Sequence, residues 1–230
     1  RGKRAIEDHF DISYELEHQI KGTSKEHYLT EIRSVITKCT FSYTRQIEMK
    51  GLGHAILCGE NLIGNQPFAV LLADDLCDAP DKGVLSQMVE LYKKYNCSIV
   101  AIEEIPKEDT NKYGVIAGNE IEPGIFMVKD MVEKPEPEVA PSNLAIIGRY
   151  ILTPDIFDII RETKPGKGGE IQITDALLTQ AKNGMVLAYK FKGERFDCGS
   201  IDGFVKATNY FYDKSIKNEK KEEKKDNGKK

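Results

Sequence analysis

No apolar run in the chain approaches the ~20 residues that a membrane-spanning helix needs; Phe68 to Ala73 is among the longest and is far shorter. There is no secretory signal pattern, no tryptophan, and no cysteine pair at C-x-x-C spacing. The five cysteines, Cys39, Cys58, Cys77, Cys97 and Cys198, are odd in number, and most adjoin apolar residues. Reduced thiols in a cytoplasmic protein account for that pattern better than disulfides or a zinc site. A broad basic face is also missing. The formal net charge is −4, and Lys217 to Lys230 holds seven lysines against four acids, so the residues before it are more acidic than the whole. Such a balance excludes nucleic-acid binding by bulk charge. The lysine-rich end mixes acids with its lysines and carries no aromatic residue on which a base could stack. Any phosphate recognised here must be gripped by a few placed groups.

What is present is a chain of 230 residues, 40% hydrophobic and 30% charged, long enough for one large domain or two small ones. Arg4 to Gln19 reads as a helix with Ile6, Phe10 and Leu16 on one side. A second helix follows from Ser24, with Thr23 and Glu26 spaced as a capping box and Leu29, Ile32, Val35 and Ile36 at helical spacing. Thr40 to Gln46 alternates as a strand, and Gly51 to Leu62 reads as a short helix. The run Phe68 to Ala73 suits a strand buried on both faces, as in parallel sheets. Lys82 to Tyr95 predicts an amphipathic helix and Ser98 to Ile105 another strand. Alternating strands and helices argue for βαβ units. Tyr113 to Ile121, Phe126 to Glu133 and Leu144 to Leu152 then read as strands joined by short turns. Helices resume at Thr153, an N-cap followed by Pro154, and near Thr174. Met185 to Lys192 reads as a strand and Ile201 to Ile216 as a last helix. The tail from 217 to 230 has the composition of a disordered segment. The expected organisation is one domain over residues 1–216 followed by that tail.

Four clusters carry polar groups that could do chemistry. In the first, Arg45-Gln46 leads through Gly51-Leu52-Gly53-His54-Ala55 into a helix. Gln46 offers an amide that can pair with a base edge, and Gly51 permits close approach of a flat ring; an ordinary strand-to-helix turn has the same look. In the second, Asp74 and Asp75 follow the apolar run, where carboxylates can hold magnesium at the end of a strand or simply cap the loop. In the third, Val132-Glu133-Lys134-Pro135 is preceded by Lys112-Tyr113-Gly114. Glu133 could accept from sugar hydroxyls and Lys134 neutralise a phosphate, or the two could form an exposed ion pair. In the fourth, Phe196-Asp197-Cys198-Gly199 offers either a second metal ligand or an acid at a helix start.

Taken in order, these clusters resemble the sugar-1-phosphate nucleotidyltransferases, and specifically the bacterial UTP–glucose-1-phosphate uridylyltransferases. The matching stretches are Ile6 to Asp11, Lys50 to Ala55, Ala140 to Ala145 through Gly148 to Tyr150, Gly169 to Ala176, and Asp197 to Gly199. The resemblance runs from the first residue to about Tyr210. Gly-Leu-Gly-His-Ala with Ala-Pro-Ser-Asn-Leu-Ala is specific to the uridylyl branch, whereas Glu-Lys-Pro and Ile-Thr-Asp are shared more widely. The resemblance implies a Rossmann-like α/β nucleotidyltransferase fold, with a mostly parallel central sheet flanked by helices and a small β-rich sugar-binding part. It implies that Gln46 and Gly51 contact uracil, that Asp74 and Asp197 hold Mg2+, that Gly114, Glu133 and Asn143 face the glucose, and that Lys134 bridges phosphates. Asp74 and Lys134 would be the catalytic pair. The implied reaction is UTP plus glucose 1-phosphate giving UDP-glucose and pyrophosphate, by magnesium-assisted in-line attack on the α-phosphorus. A homodimer or homotetramer in the cytoplasm is implied as well.

The chain also departs from the family pattern. The glycine-rich G-x-G-T-R loop and the P-K-E-M-like segment do not occur, and the chain opens on Arg1 rather than Met. It therefore reads as a stretch of a longer protein, inactive and poorly folded when alone. Ile47 stands where the family commonly has glycine and Ala73 where it commonly has proline. Two other readings compete: a sister enzyme using dTTP or another sugar phosphate, and a non-catalytic nucleotide-sugar-binding module.

Overall fold

A computed structural model describes residues 4–183 and 186–227. They form two compact units, divided between Arg45 and Gln46. In the first unit the predicted helix over 4–19 is broken into α1 (Arg4–Phe10) and α2 (Tyr14–Ile20), followed by α3 (Glu26–Ile36). Glu17 pairs with Arg33, and Phe10 stacks on Phe41 with ring centroids 4.5 Å apart. The capping box is shifted: Glu26 accepts from the Gly22 N–H (2.9 Å), and the Thr23 hydroxyl accepts from the Lys25 N–H. The strand predicted over 40–46 has no ladder partner among the described residues.

The second unit contains α4 (Gly51–Leu57), α5 (Glu60–Ile63), β1 (Phe68–Leu71), β2 (Asp75–Asp78), α6 (Val84–Tyr95), β3 (Ser98–Glu104), β4 (Gly114–Glu122), β5 (Ile125–Glu133) and β6 (Leu144–Leu152). After these come α7 (Ile156–Glu162), α8 (Ile173–Lys182), β7 (Val186–Lys190), β8 (Glu194–Asp197) and α9 (Ile201–Asn227). Met185, predicted to open the seventh strand, lies outside the described residues.

Six strands form one sheet in the order β1-β6-β3-β7-β5-β4, with the start of β6 also pairing β4. Strand periodicity sorts the core onto its two faces. Val100, Ile102, Tyr150, Leu152, Val186 and Ala188 pack on one side with α4, α7 and α8. Ile99, Ala101, Ile147, Ile151 and Leu187 pack on the other against Val84 and Met88 of α6. A central sheet covered by helices on both faces is therefore present.

Three details of the expected architecture are corrected. The sheet is not mostly parallel: β3 and β7 run parallel, while the ladders joining β1–β6, β3–β6, β4–β5, β4–β6 and β5–β7 are antiparallel. The apolar run at 68–73 suggested burial on both faces. In the structure β1 alternates instead: Phe68 and Val70 join the core while Leu71 is 52% exposed. The strands of the expected β-rich part, β4 and β5, continue the main sheet. Finally, the tail is helical as far as Asn227. Its lysines and glutamates are good helix formers, and no proline or glycine interrupts them before Gly228.

Candidate active site

A separate two-stranded ladder assembles the acidic end of the site. β2 and β8 pair antiparallel with Asp75 opposite Asp197, and the Cys198 N–H donates to the Asp74 carbonyl at 2.7 Å. Residues far apart in sequence are thereby placed side by side. A Cβ built on Gly199 would lie 3.0 Å from Asp197 Oδ1 and 3.6 Å from Asp74 Oδ2, so both carboxylates face the same small space. Among the described residues no group of three or more metal-ligating side chains gathers. Two carboxylates fit a magnesium site that draws its remaining ligands from substrate phosphates and water.

Asp75, Arg195 and Tyr113 surround that pair. Arg195 and Asp75 are both buried and joined at 2.5 Å, and Asp75 Oδ2 accepts from the Gly148 N–H at 2.6 Å. A Cβ on Gly148 would come within 2.6 Å of that carboxylate, so glycine is required there. Arg149 donates to the Leu72 and Asp75 carbonyls, fixing the turn that carries Asp74. The Tyr113 hydroxyl donates to Asp197 Oδ2 at 2.7 Å, and its ring lies 5.0 Å from the Arg195 guanidinium. Burial pushes the Asp197 carboxyl up, but the Tyr113 hydrogen bond and the Arg195 charge outweigh it and hold the group below its ordinary value. Burial likewise opposes the Arg195 charge, yet the hydrogen bond and charge of Asp75 raise the guanidinium above its ordinary value.

The opposite end comes from the β4–β5 ladder, which sets Gly114 across from Glu133. Glu133 accepts from the Thr174 hydroxyl at 2.6 Å, and a Cβ on Gly114 would lie 3.1 Å from both Glu133 Oε2 and Thr174 Oγ1. Lys134 follows at φ 48°, a left-handed conformation costly for a side-chain-bearing residue. Its N–H donates to the Tyr113 carbonyl at 3.0 Å, and its ammonium lies 3.7 Å from Glu133 Oε1.

One cavity of about 340 Å³ is lined by Asp74, Gly114, Glu133, Lys134 and Asp197, so five of the eight predicted site residues converge. Gln46, Gly51 and Asn143 do not line it. The Asn143 amide instead donates to the Ile105 carbonyl at 3.2 Å, tying the end of β3 to the loop before β6. Gln46 donates to the Gly51 carbonyl at 3.1 Å and lies 2.9 Å from His54 Nδ1. Gly51 has φ 87°, and the space a Cβ would need is taken by Glu170 and the Ile171 backbone at 2.8–2.9 Å. Packing therefore already demands glycine there. Sequence reasoning missed Arg195, Tyr113 and Thr174 as site residues. Arg195 adjoins a quoted motif, and Tyr113 and Thr174 lie within quoted stretches, but only the fold gives them their partners: Asp75 for Arg195, Asp197 for Tyr113 and Glu133 for Thr174.

Strand-end carboxylates, a lysine and a glycine thus line one cavity beside a helix-covered sheet. The model of the nucleotidyl transferase family matches residues 9–214, and the chain belongs to that family. It is 69% identical over 218 residues to a UTP–glucose-1-phosphate uridylyltransferase of Pseudomonas aeruginosa, covering 94% of this chain and 78% of that protein. It is 45% identical over 208 residues to the enzyme of that name from Bacillus subtilis, covering 90% and 71%. Among solved structures, a UDP-glucose pyrophosphorylase complexed with UDP-glucose superposes with a TM-score of 0.86 at 61% identity, covering 93% of this chain and 78% of that one.

Proposed function

We propose that this chain carries the catalytic cavity for uridylyl transfer from UTP to glucose 1-phosphate, giving UDP-glucose and pyrophosphate. The observation that carries the proposal is the convergence of Asp74, Asp197, Glu133, Lys134 and Gly114 on one cavity. Glu133, fixed by Thr174, would accept from sugar hydroxyls, and the absence of a side chain at Gly114 leaves room for the ring. Lys134 would neutralise phosphate charge and orient the attacking oxygen towards the α-phosphorus. Asp74 and Asp197 would hold Mg2+, which when bound offsets phosphate charge and aligns the two anionic substrates. Gln46 and Gly51 would contact the uracil; Asn143 would act on the sugar only through the loop it anchors.

A cytoplasmic setting belongs to the same proposal, supported by the free thiols of Cys39, Cys77, Cys97 and Cys198. Among the described residues no helix is long and apolar enough to cross a membrane. A homodimer or homotetramer is also proposed; the exposed Ile201, Phe204, Val205 and Tyr212 of α9 support it.

Calorimetric titration with UDP-glucose and dTDP-glucose, each in Mg2+, tests the assignment. UDP-glucose should bind at least about 10-fold more tightly. Equal affinities would move the chain to the sister thymidylyl branch, and binding of neither would overturn the cavity assignment.

A further inference from the structure

The Arg195 side chain is buried, charged, and ion-paired with three carboxylates at once. Its Nε donates to Asp75 Oδ1 at 2.5 Å, its Nη2 lies 3.3 Å from Asp197 Oδ2, and its Nη1 lies 3.5 Å from Glu103 Oε2. Asp75 belongs to the strand that begins directly after Asp74, and Asp197 closes the strand facing it. The planar fork of an arginine can reach both strands in fixed directions; a point charge cannot. With Tyr113, Arg195 occupies Asp197 Oδ2, while Oδ1 accepts from the Gly199 N–H at 3.1 Å, beside the glycine whose Cβ position Asp74 Oδ2 also borders.

We infer that Arg195 is a positioning residue: backed by the buried Asp75 carboxylate, it holds Asp74 and Asp197 in the orientation in which they bind a divalent cation together. It touches neither substrate nor cation in this role. The inference rests on the proposed metal site, and it has a sign that separates it from simple electrostatics. A positive charge beside a cation site opposes the cation by Coulomb repulsion. If charge alone mattered, removing Arg195 would tighten cation binding. If orientation matters more, removing it weakens binding. Loss of a group that orients metal ligands typically lowers affinity about 10- to 100-fold.

The test compares wild type, Arg195→Gln and Arg195→Lys by Mn2+ titration followed by electron paramagnetic resonance, in the presence of saturating UDP-glucose. UDP-glucose affinity in EDTA is measured alongside. Arg195→Gln should bind Mn2+ at least about 10-fold more weakly, with UDP-glucose affinity in EDTA within about twofold of wild type. Arg195→Lys keeps the charge and the apolar stem but cannot span Asp75 and Asp197 together, so it should also lose at least about threefold in Mn2+ affinity. It serves as the folded comparison if the glutamine variant does not fold. Unchanged or tighter Mn2+ binding in either folded variant overturns the inference. So does a fall in metal-free UDP-glucose affinity as large as the fall for Mn2+, which marks a general loss of structure. Failure of wild type to bind Mn2+ overturns the metal site itself, and the inference with it.

Discussion

The two ends of the cavity are built in opposite ways. At the acidic end, Asp75 and Arg195 are buried against each other, and the backbone around Asp74 is bonded by Arg149 and Cys198. At the other end, Lys134 is 47% exposed and stands on a left-handed backbone. The difference suits what each end is proposed to do. A metal site needs its ligands fixed in direction before the ion arrives, whereas a lysine meeting phosphates acts as a mobile point charge. Holding that lysine at φ 48° costs of the order of 1–2 kcal/mol, offset in part by the hydrogen bond from its N–H to the Tyr113 carbonyl.

This contrast can be broken most forcefully at Asp75. Without Asp75 the Arg195 side chain keeps only the more distant Asp197 and Glu103 carboxylates, and the Gly148 N–H loses its acceptor, so Asp75→Ala should destabilise the second unit by about 3 kcal/mol in urea unfolding. A loss below about 1 kcal/mol would show that the acidic end is not locked. Lys134→Gly should do the reverse. Its stability should be unchanged or up to about 1 kcal/mol higher, because glycine accepts the left-handed backbone, while UDP-glucose affinity should fall about 10-fold or more for want of the phosphate partner. A destabilised but fully binding variant would contradict the division of labour. Thr174→Val removes the hydrogen bond to the Glu133 carboxylate and should cost about 1.5–3 kcal/mol in stability or in binding of the sugar. Comparing UDP-glucose with UDP alone separates the two, since only the former should weaken in the variant.

The smallest effect lies away from the cavity. Hydrogen bonds from Lys214 and then Tyr210 hold the Asp78 carboxyl below its ordinary value. That contribution is present above the unfolded carboxylate value of about 3.9 and is lost as pH falls through the lower folded value. Asp78→Asn should therefore flatten the acid limb of thermal stability below about pH 4 while leaving neutral-pH binding unchanged. An unaltered acid limb would show that Asp78 contributes nothing to acid stability.

How much of this was legible in the sequence follows from where each residue gets its meaning. Asp74, Glu133, Lys134 and Asp197 could be picked out because each sits at or beside a strand's end. Arg195 could not: its partner Asp75 is 120 residues away, and the β2–β8 ladder that unites them has four-residue strands with little periodic signal. The bond from Asn143 to Ile105 was hidden because adjacency to a family-specific stretch says nothing about which way an amide points. The run at 68–73 led to a parallel sheet because a short apolar run does not reveal its partner's direction. The helical continuation from Lys217 to Asn227 was hidden by a charge-rich composition that disorder and exposed helix share.

The central claim is that Asp74 and Asp197 share a divalent cation next to the site that receives the nucleotide sugar. Crystals soaked with Mn2+ and UDP-glucose and measured at the manganese edge would test it directly. An anomalous peak should lie between Asp74 Oδ2 and Asp197 Oδ1, with the diphosphate on its open side and the glucose against Glu133. A peak elsewhere, or UDP-glucose seated with no ion at these two carboxylates, would contradict it.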